Sequence, residues 1–206
     1  MKRKGKVPRF KLQRRLLTEL PGLGKAGALE RKPYPPGQHG AQRIKYSDYR
    51  LQLEEKQKIK YHYNLRDEQL IRLVKLAQKK PGVWVGELIS LLESRLENVL
   101  FRGGFARSQT SAAQMISHGQ VLVNGRKVNI RSFTVKTGDV IVLTDKGIKN
   151  QIYQMAKVNP RLPIPDWIEK TESEFVAQLE MKDRPQLESV PFAFEETLVT
   201  SFYSKV

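Results

Sequence analysis

Residues 94–105 read Ser94-Arg95-Leu96-Glu97-Asn98-Val99-Leu100-Phe101-Arg102-Gly103-Gly104-Phe105, and the parsing of the rest of the chain turns on them. From about Gly86, apolar residues recur at helical spacing through Leu88, Ile89, Leu91, Leu92, Leu96, Val99 and Leu100. A helix is therefore expected to run to Arg102 and to stop at Gly103-Gly104. Ser108 suits the N-cap of a second, short helix, Gln109–Ser117, closed by His118-Gly119. The period then changes to two. Val121-Leu122-Val123 runs into Asn124-Gly125, the dipeptide that most strongly signals a tight hairpin, and Val128 and Ile130 follow. Phe133 and Val135 precede a further turn at Thr137-Gly138-Asp139, and Val140–Leu143 resumes the apolar run. Residues 93–147 are thus expected to form a small module of helices and an antiparallel hairpin.

Outward from this module the pattern is helical on the N-terminal side. Ser47 can cap a helix reaching about Tyr61, with Asp48 in its first turn and Leu51, Leu53 and Ile59 inside. Another is expected from Asn64 as N-cap, with Asp67 three residues on and Leu70, Ile71, Leu73, Val74, Leu76 and Ala77 inside, stopping at Pro81-Gly82. Residues 47–92 then form a helical part completed by 148–206, a mixed segment broken at Pro160–Pro165 and closing with Leu198–Tyr203. Residues 1–46 read as a basic arm punctuated by Pro8, Pro21-Gly22, Gly24, Gly27, Pro33 and Pro35-Pro36-Gly37, with a short helix around Lys11–Leu20 as its exception. Such an arm buries too little apolar area to offset its ordering entropy alone, so it is expected to order against a partner. The class is α+β.

Charge is distributed unevenly. Residues 1–80 hold 22 Lys and Arg against 7 Asp and Glu, within a chain of net charge +16, whereas residues 148–206 are net acidic. Like charge concentrated this way is self-repelling unless a polyanion neutralises it. Nucleic acid is favoured over an acidic membrane face, because the cations are mixed with turns rather than opposed to one apolar helical face. No stretch approaches the ~20 apolar residues a membrane span needs, and no apolar signal core stands near the N-terminus, so a cytosolic or organellar-matrix protein is expected. The absence of cysteine excludes disulfides, iron–sulfur clusters and cysteine-ligated zinc.

Catalytic motifs are not found, and no cofactor or metal is expected. Gly22, Gly24 and Gly27 spell G-x-G-x-x-G, but no strand precedes them and no parallel sheet follows, so a flexible loop is the better account. His39, His62 and His118 are scattered, and neighbouring acids such as Glu54-Glu55 and Glu195-Glu196 splay apart on a helix. A binding surface is better supported. Arg107, Ser108, Gln109, Ser111, Gln114 and His118 place donors around one short helix, and Asn124-Gly125-Arg126-Lys127 adds cations at a hairpin tip. Exposed amides at a helix start, short donors and neighbouring Arg and Lys suit phosphates. The competing reading is a small α+β domain whose polar residues merely face water.

The order SRLENVLFRGGF, then His118-Gly119-Gln120-Val121-Leu122-Val123-Asn124-Gly125, then Gly138-Asp139-Val140-Ile141, resembles the RNA-binding module named after ribosomal protein S4. That module, with its alpha-L arrangement of helices and hairpin, also occurs in RNA-modifying enzymes and an RNA chaperone. The flanks narrow the choice. Pro36-Gly37-Gln38-His39-Gly40, Ser47-Asp48-Tyr49 with Gln52-Leu53-Glu54-Glu55-Lys56-Gln57-Lys58, Arg14-Arg15-Leu16 with Leu20-Pro21-Gly22-Leu23, and the closing Leu198–Lys205 resemble the ribosomal S4 family in its bacterial or plastid form.

The resemblance implies a primary binder of small-subunit ribosomal RNA at a junction in the 5′ domain. It implies neighbours S5 and S12, an influence on decoding accuracy, and a place at the messenger RNA entrance, in the bacterial cytoplasm or plastid stroma. The expected RNA contacts are Arg14, Arg15, Arg43, Lys45, Arg50, Lys56, Lys58, Arg107, Ser108, Gln109, Gln114, His118, Asn124, Gly125, Arg126 and Lys127. The messenger-facing run reads Gln42-Arg43-Ile44-Lys45, with Gln42 at a position often basic in relatives. Gln109 and Ala113 stand where many relatives carry Arg, leaving Arg107 as a substitute cation. Without cysteines to build the zinc site of some relatives, the Gly22–Gly40 loop is expected to be held by RNA and neighbouring chain.

Overall fold

The computed structural model describes residues 8–24, 27–30, 32–42 and 45–204. They fall in two compact units, one formed by residues 1–62 with 191–206 and the other by residues 63–190.

In the first unit, α1 (Arg9–Leu16) lies against α2 (Asp48–His62), and α2 packs on α9 (Glu196–Tyr203). Leu12 and Leu16 on α1 are buried together with Leu20 and Ala28, so the described part of the basic arm carries its own apolar side. Leu12 and Leu16 stand four apart on one face of α1, and Leu20 joins them after the left-handed turn at Leu17. Ser47 Oγ accepts from Arg50 N at 3.3 Å and opens α2 as expected. The buried Glu55 carboxylate accepts from Glu195 N at 3.1 Å, giving α9 a cap supplied by another helix.

The second unit begins with α3 (Asp67–Ala77) and α4 (Trp84–Glu93), then α5 (Leu96–Arg102) and α6 (Gln109–Ser117). Two helix expectations are corrected. Asn64 is no cap: its φ of 50° is left-handed, and α3 starts three residues later. The single helix expected to reach Arg102 is broken at Ser94-Arg95, where Arg95 is extended and bridges Thr134. Val135 N donates to Ser94 O and Leu96 N to Phe133 O, each at 2.8 Å, so the break exchanges helical bonds for tertiary ones.

The hairpin appears where expected, as β1 (Val121–Val123) and β2 (Arg126–Lys127), and β3 (Val140–Leu143) pairs antiparallel with β1. The sheet does not end there. After α7 (Asp145–Ile148) and α8 (Gln151–Val158), strands β4 (Ile168–Glu172) and β5 (Ala177–Met181) extend it in the order β2-β1-β3-β5-β4. Residues 148–190 therefore belong with the sheet rather than with the helical part, and the segment from Pro191 onward is what joins α2. The reason is the alternation in β5: Ala177, Leu179 and Met181 are buried beside Ile141 and Leu143 in one core with Val121, Leu96, Leu100, Phe105 and Tyr153.

Candidate nucleic-acid interface

The decisive stretch turns inward. Glu93 at the end of α4 is fully buried, and Tyr63 donates to its Oε1 at 2.5 Å. Asn98 Nδ2 donates to its Oε2 at 2.7 Å, and Arg102 Nε stands 3.5 Å from the same oxygen. Arg102 also donates to Ser189 O at 2.7 Å, and Gln109 Nε2 donates to Asn98 Oδ1 at 2.9 Å. One turn along, the Arg95 guanidinium closes on buried Glu97 at 2.6 Å, and Arg131 Nε lies 3.9 Å from the other oxygen. Burial pushes the Glu93 carboxyl above its usual range against the opposing pull of Arg102, Tyr63 and Asn98. It also raises the Tyr63 phenol well above its usual value, with Glu93 adding to the effect. These bonds link α4, α5 and the first turn of α6 through buried side chains, while Glu97 Oε2, Arg102 Nε and Gln109 Oε1 are buried without a hydrogen-bond partner among the described residues.

On this frame the outward surface is built at α6 and the hairpin. Ser108 Oγ accepts from Ser111 N at 3.1 Å, as an N-cap should, with half-buried Arg107 just ahead of it. Gln114 and His118 are exposed along and beyond the helix. Asn124 and Gly125 take φ of 49° and 75°, the left-handed pair a two-residue hairpin turn requires. The Asn124 side chain braces that turn: its Nδ2 donates to Asp139 Oδ1 at 2.8 Å and its Oδ1 accepts from Val140 N at 2.9 Å. Arg126 and Lys127 are exposed on β2. Lys127 crosses the C-terminal end of α6, where a Cβ built on Gly119 would stand 2.0 Å from Lys127 Cε. The structure thus gathers Lys127 and the α6 C-terminus at one end of a nine-residue helix, and Arg107 and Ser108 at the other. Gln109 is not on this surface, because it is 4% exposed and bonded to Asn98.

In the first unit several expected contacts are engaged within the chain. Arg14 Nε donates to Lys32 O at 3.2 Å and Tyr34 O at 3.1 Å, and the guanidinium lies 5.1 Å from the Tyr34 ring centre. The loop before the PGQHG sequence is therefore tied to α1 by the chain itself. Arg50 pairs with Glu54 at 2.8 Å and lies over the Tyr46 ring, Lys58 pairs with Glu55 at 2.6 Å, and Lys56 Nζ lies 5.3 Å from the Phe202 ring centre. Arg15 and Lys45 are exposed. Arg43 lies outside the described residues. No group of three or more His, Cys, Asp or Glu among the described residues could hold a metal ion, and no described helix is long and apolar enough to cross a membrane.

Sequence reading missed the inward roles of Glu93, Asn98 and Arg102. Acid, amide and arginine spaced through an apolar helical run were the available signal.

Comparison with known proteins assigns the class and then the family. A family model described as the S4 domain matches residues 94–141, and one described as the ribosomal protein S4/S9 N-terminal domain matches residues 4–93. Frame, hairpin and flanking helices together are those of a ribosomal protein carrying an S4 domain. Small ribosomal subunit protein uS4B of Bdellovibrio bacteriovorus is 58% identical over 205 residues, covering 99% of each chain. The uS4 proteins of Mycobacterium tuberculosis and Rhodococcus erythropolis are 40% and 38% identical, each over 96% of this chain and 97% of the relative. The chain belongs to the small ribosomal subunit protein uS4 family, whose members are structural constituents of the ribosome.

Proposed function

We propose that the chain acts by gripping a folded junction in the 5′ domain of small-subunit ribosomal RNA, making and breaking no covalent bond. The observation that carries this reading is the contrast between an exposed cationic rim and a rigid paired frame: Arg126 and Lys127 face solvent on a hairpin braced by Asn124. Arg107, Ser108, Gln114 and His118 supply donors along α6, whose free amides suit phosphate oxygens. Gly125 lets the tip approach the backbone of the RNA. Arg15 and Lys45 add charge from the first unit, while Arg14, Arg50, Lys56 and Lys58 place the surfaces around them through their internal contacts. Gln109 and Asn124 act by positioning.

In this reading residues 1–46 and the module at 93–147 carry the RNA contacts, and the protein helps nucleate the subunit body in the bacterial cytoplasm. Arg43 and Lys45 serve the messenger entrance, beside S5 and S12. The experiment is a titration of the full chain against a 5′-domain transcript over a range of salt. Log affinity should fall steeply and linearly with log salt, because about 0.9 counterions are released per phosphate neutralised in a duplex. A near-flat line would refute the mechanism.

A further inference from the structure

The two basic helices of this chain treat their cations differently. Those of α2 are spent within the protein: Arg50 on Glu54, Lys58 on Glu55, Lys56 on the Phe202 ring. On α3 and the turn after it, Arg72, Lys75 and Lys79 are all exposed, and none makes an ion pair or hydrogen bond among the described residues. Lys80 shows the alternative next door, pairing with Glu87 at 3.0 Å.

Spacing arranges the free cations. At 3.6 residues per turn, positions 72 and 75 fall roughly 60° apart around the helix axis, and Lys79 follows on the turn beyond Ala77. The buried residues Leu70, Val74 and Ala77 lie on the opposite side. Along the axis Arg72 and Lys75 are separated by about 4.5 Å. Glu68 stands at the head of the same row and makes no ion pair with Arg72 among the described residues. Leu76, 47% exposed, borders the row with an apolar surface. A row of like charges held a turn apart is destabilising on its own and is relieved by a polyanion running along it.

We propose that this face of α3 is a further RNA-backbone site, reading phosphates without base specificity and adding to the contacts of the hairpin. The inference rests on the ribosomal-RNA reading above. α3 belongs to the same compact unit as the module, so its contribution enters the same binding event.

The test compares three full-length proteins on the 5′-domain transcript across salt. They are the unaltered chain, a variant with Arg72→Gln, Lys75→Gln and Lys79→Gln, and a charge-matched variant with Lys149→Gln, Lys157→Gln and Lys182→Gln. The α3 variant should lose about tenfold or more in affinity at ~0.15 M salt, with a log–log slope shallower by about 2 to 3. The charge-matched variant should keep the slope and lose less than about threefold. Thermal melting of each variant verifies folding, and the glutamines preserve helix propensity. An α3 variant with the unaltered slope overturns the proposal, as does an equal loss in the charge-matched variant, which would assign the effect to bulk charge. A flat slope for the unaltered chain sinks the ribosomal-RNA reading and this inference together, whereas a steep one beside an unchanged α3 variant sinks this inference alone.

Discussion

Residues 93–102 and residues 118–127 lie in the same compact unit and put their polar side chains to opposite uses. In the first stretch Glu93, Arg95, Glu97, Asn98 and Arg102 are all buried and answer one another. In the second, Arg126 and Lys127 face water with their charge unspent, and His118 is exposed. The difference teaches that arginine in a nucleic-acid-binding protein is no index of contact. A guanidinium beside a buried carboxylate is part of the frame, while one on a braced hairpin tip is available to a phosphate.

The comparison breaks most readily at Glu93. Glu93→Leu leaves Arg102 buried without its carboxylate and strips Tyr63 and Asn98 of an acceptor, so urea unfolding should show a loss of about 3–5 kcal/mol. An unchanged midpoint would mean that the inward residues are ornamental. Glu93→Gln sharpens the point through pH. Burial holds the native carboxyl above its unfolded value, so its protonated form favours folding, and stability falls as pH rises from the ordinary carboxylate range through the raised value. The glutamine variant should lose that limb of the stability profile.

A smaller effect is expected at Gly103, which closes the inward stretch. A Cβ there would stand 2.3 Å from Leu179 Cδ1, so Gly103→Ala requires the buried Leu179 side chain to shift within a packed core. Overpacking of this kind costs about 1–3 kcal/mol, measurable by the same unfolding curve. Least of all should be felt in stability when Arg126 and Lys127 are both replaced by Gln. Exposed changes away from a core stay within about 0.5 kcal/mol, while RNA affinity should drop. A large loss of stability in that variant would erase the distinction between frame and rim.

The elements legible in the sequence were those with strong local signals. Asn124-Gly125 announced its turn, Ser108 its cap, and Leu88 to Leu100 their helical face. The break at Ser94-Arg95 was hidden, because the apolar spacing continues across it and the compensating bonds run from Ser94 and Leu96 to Val135 and Phe133 in a distant loop. Strand β4 was equally silent: Ile168 is its buried residue, and a polar edge strand carries little pattern. At the interface, Arg126, Lys127 and Ser108 could be named from residue type and turn chemistry. The engagement of Arg14, Arg50 and Lys58, and the burial of Gln109, could not, since each depends on a partner that folding brings near.

What the chain order determined unaided was the class of fold, the polyanion preference and the family, because charge distribution, periodicity and turn dipeptides are local properties that survive without coordinates. What tertiary structure alone decided was which charges remain free. A cation is spent or available according to the carboxylate, carbonyl or ring that packing places within a few ångströms, and linear spacing carries no measure of that distance.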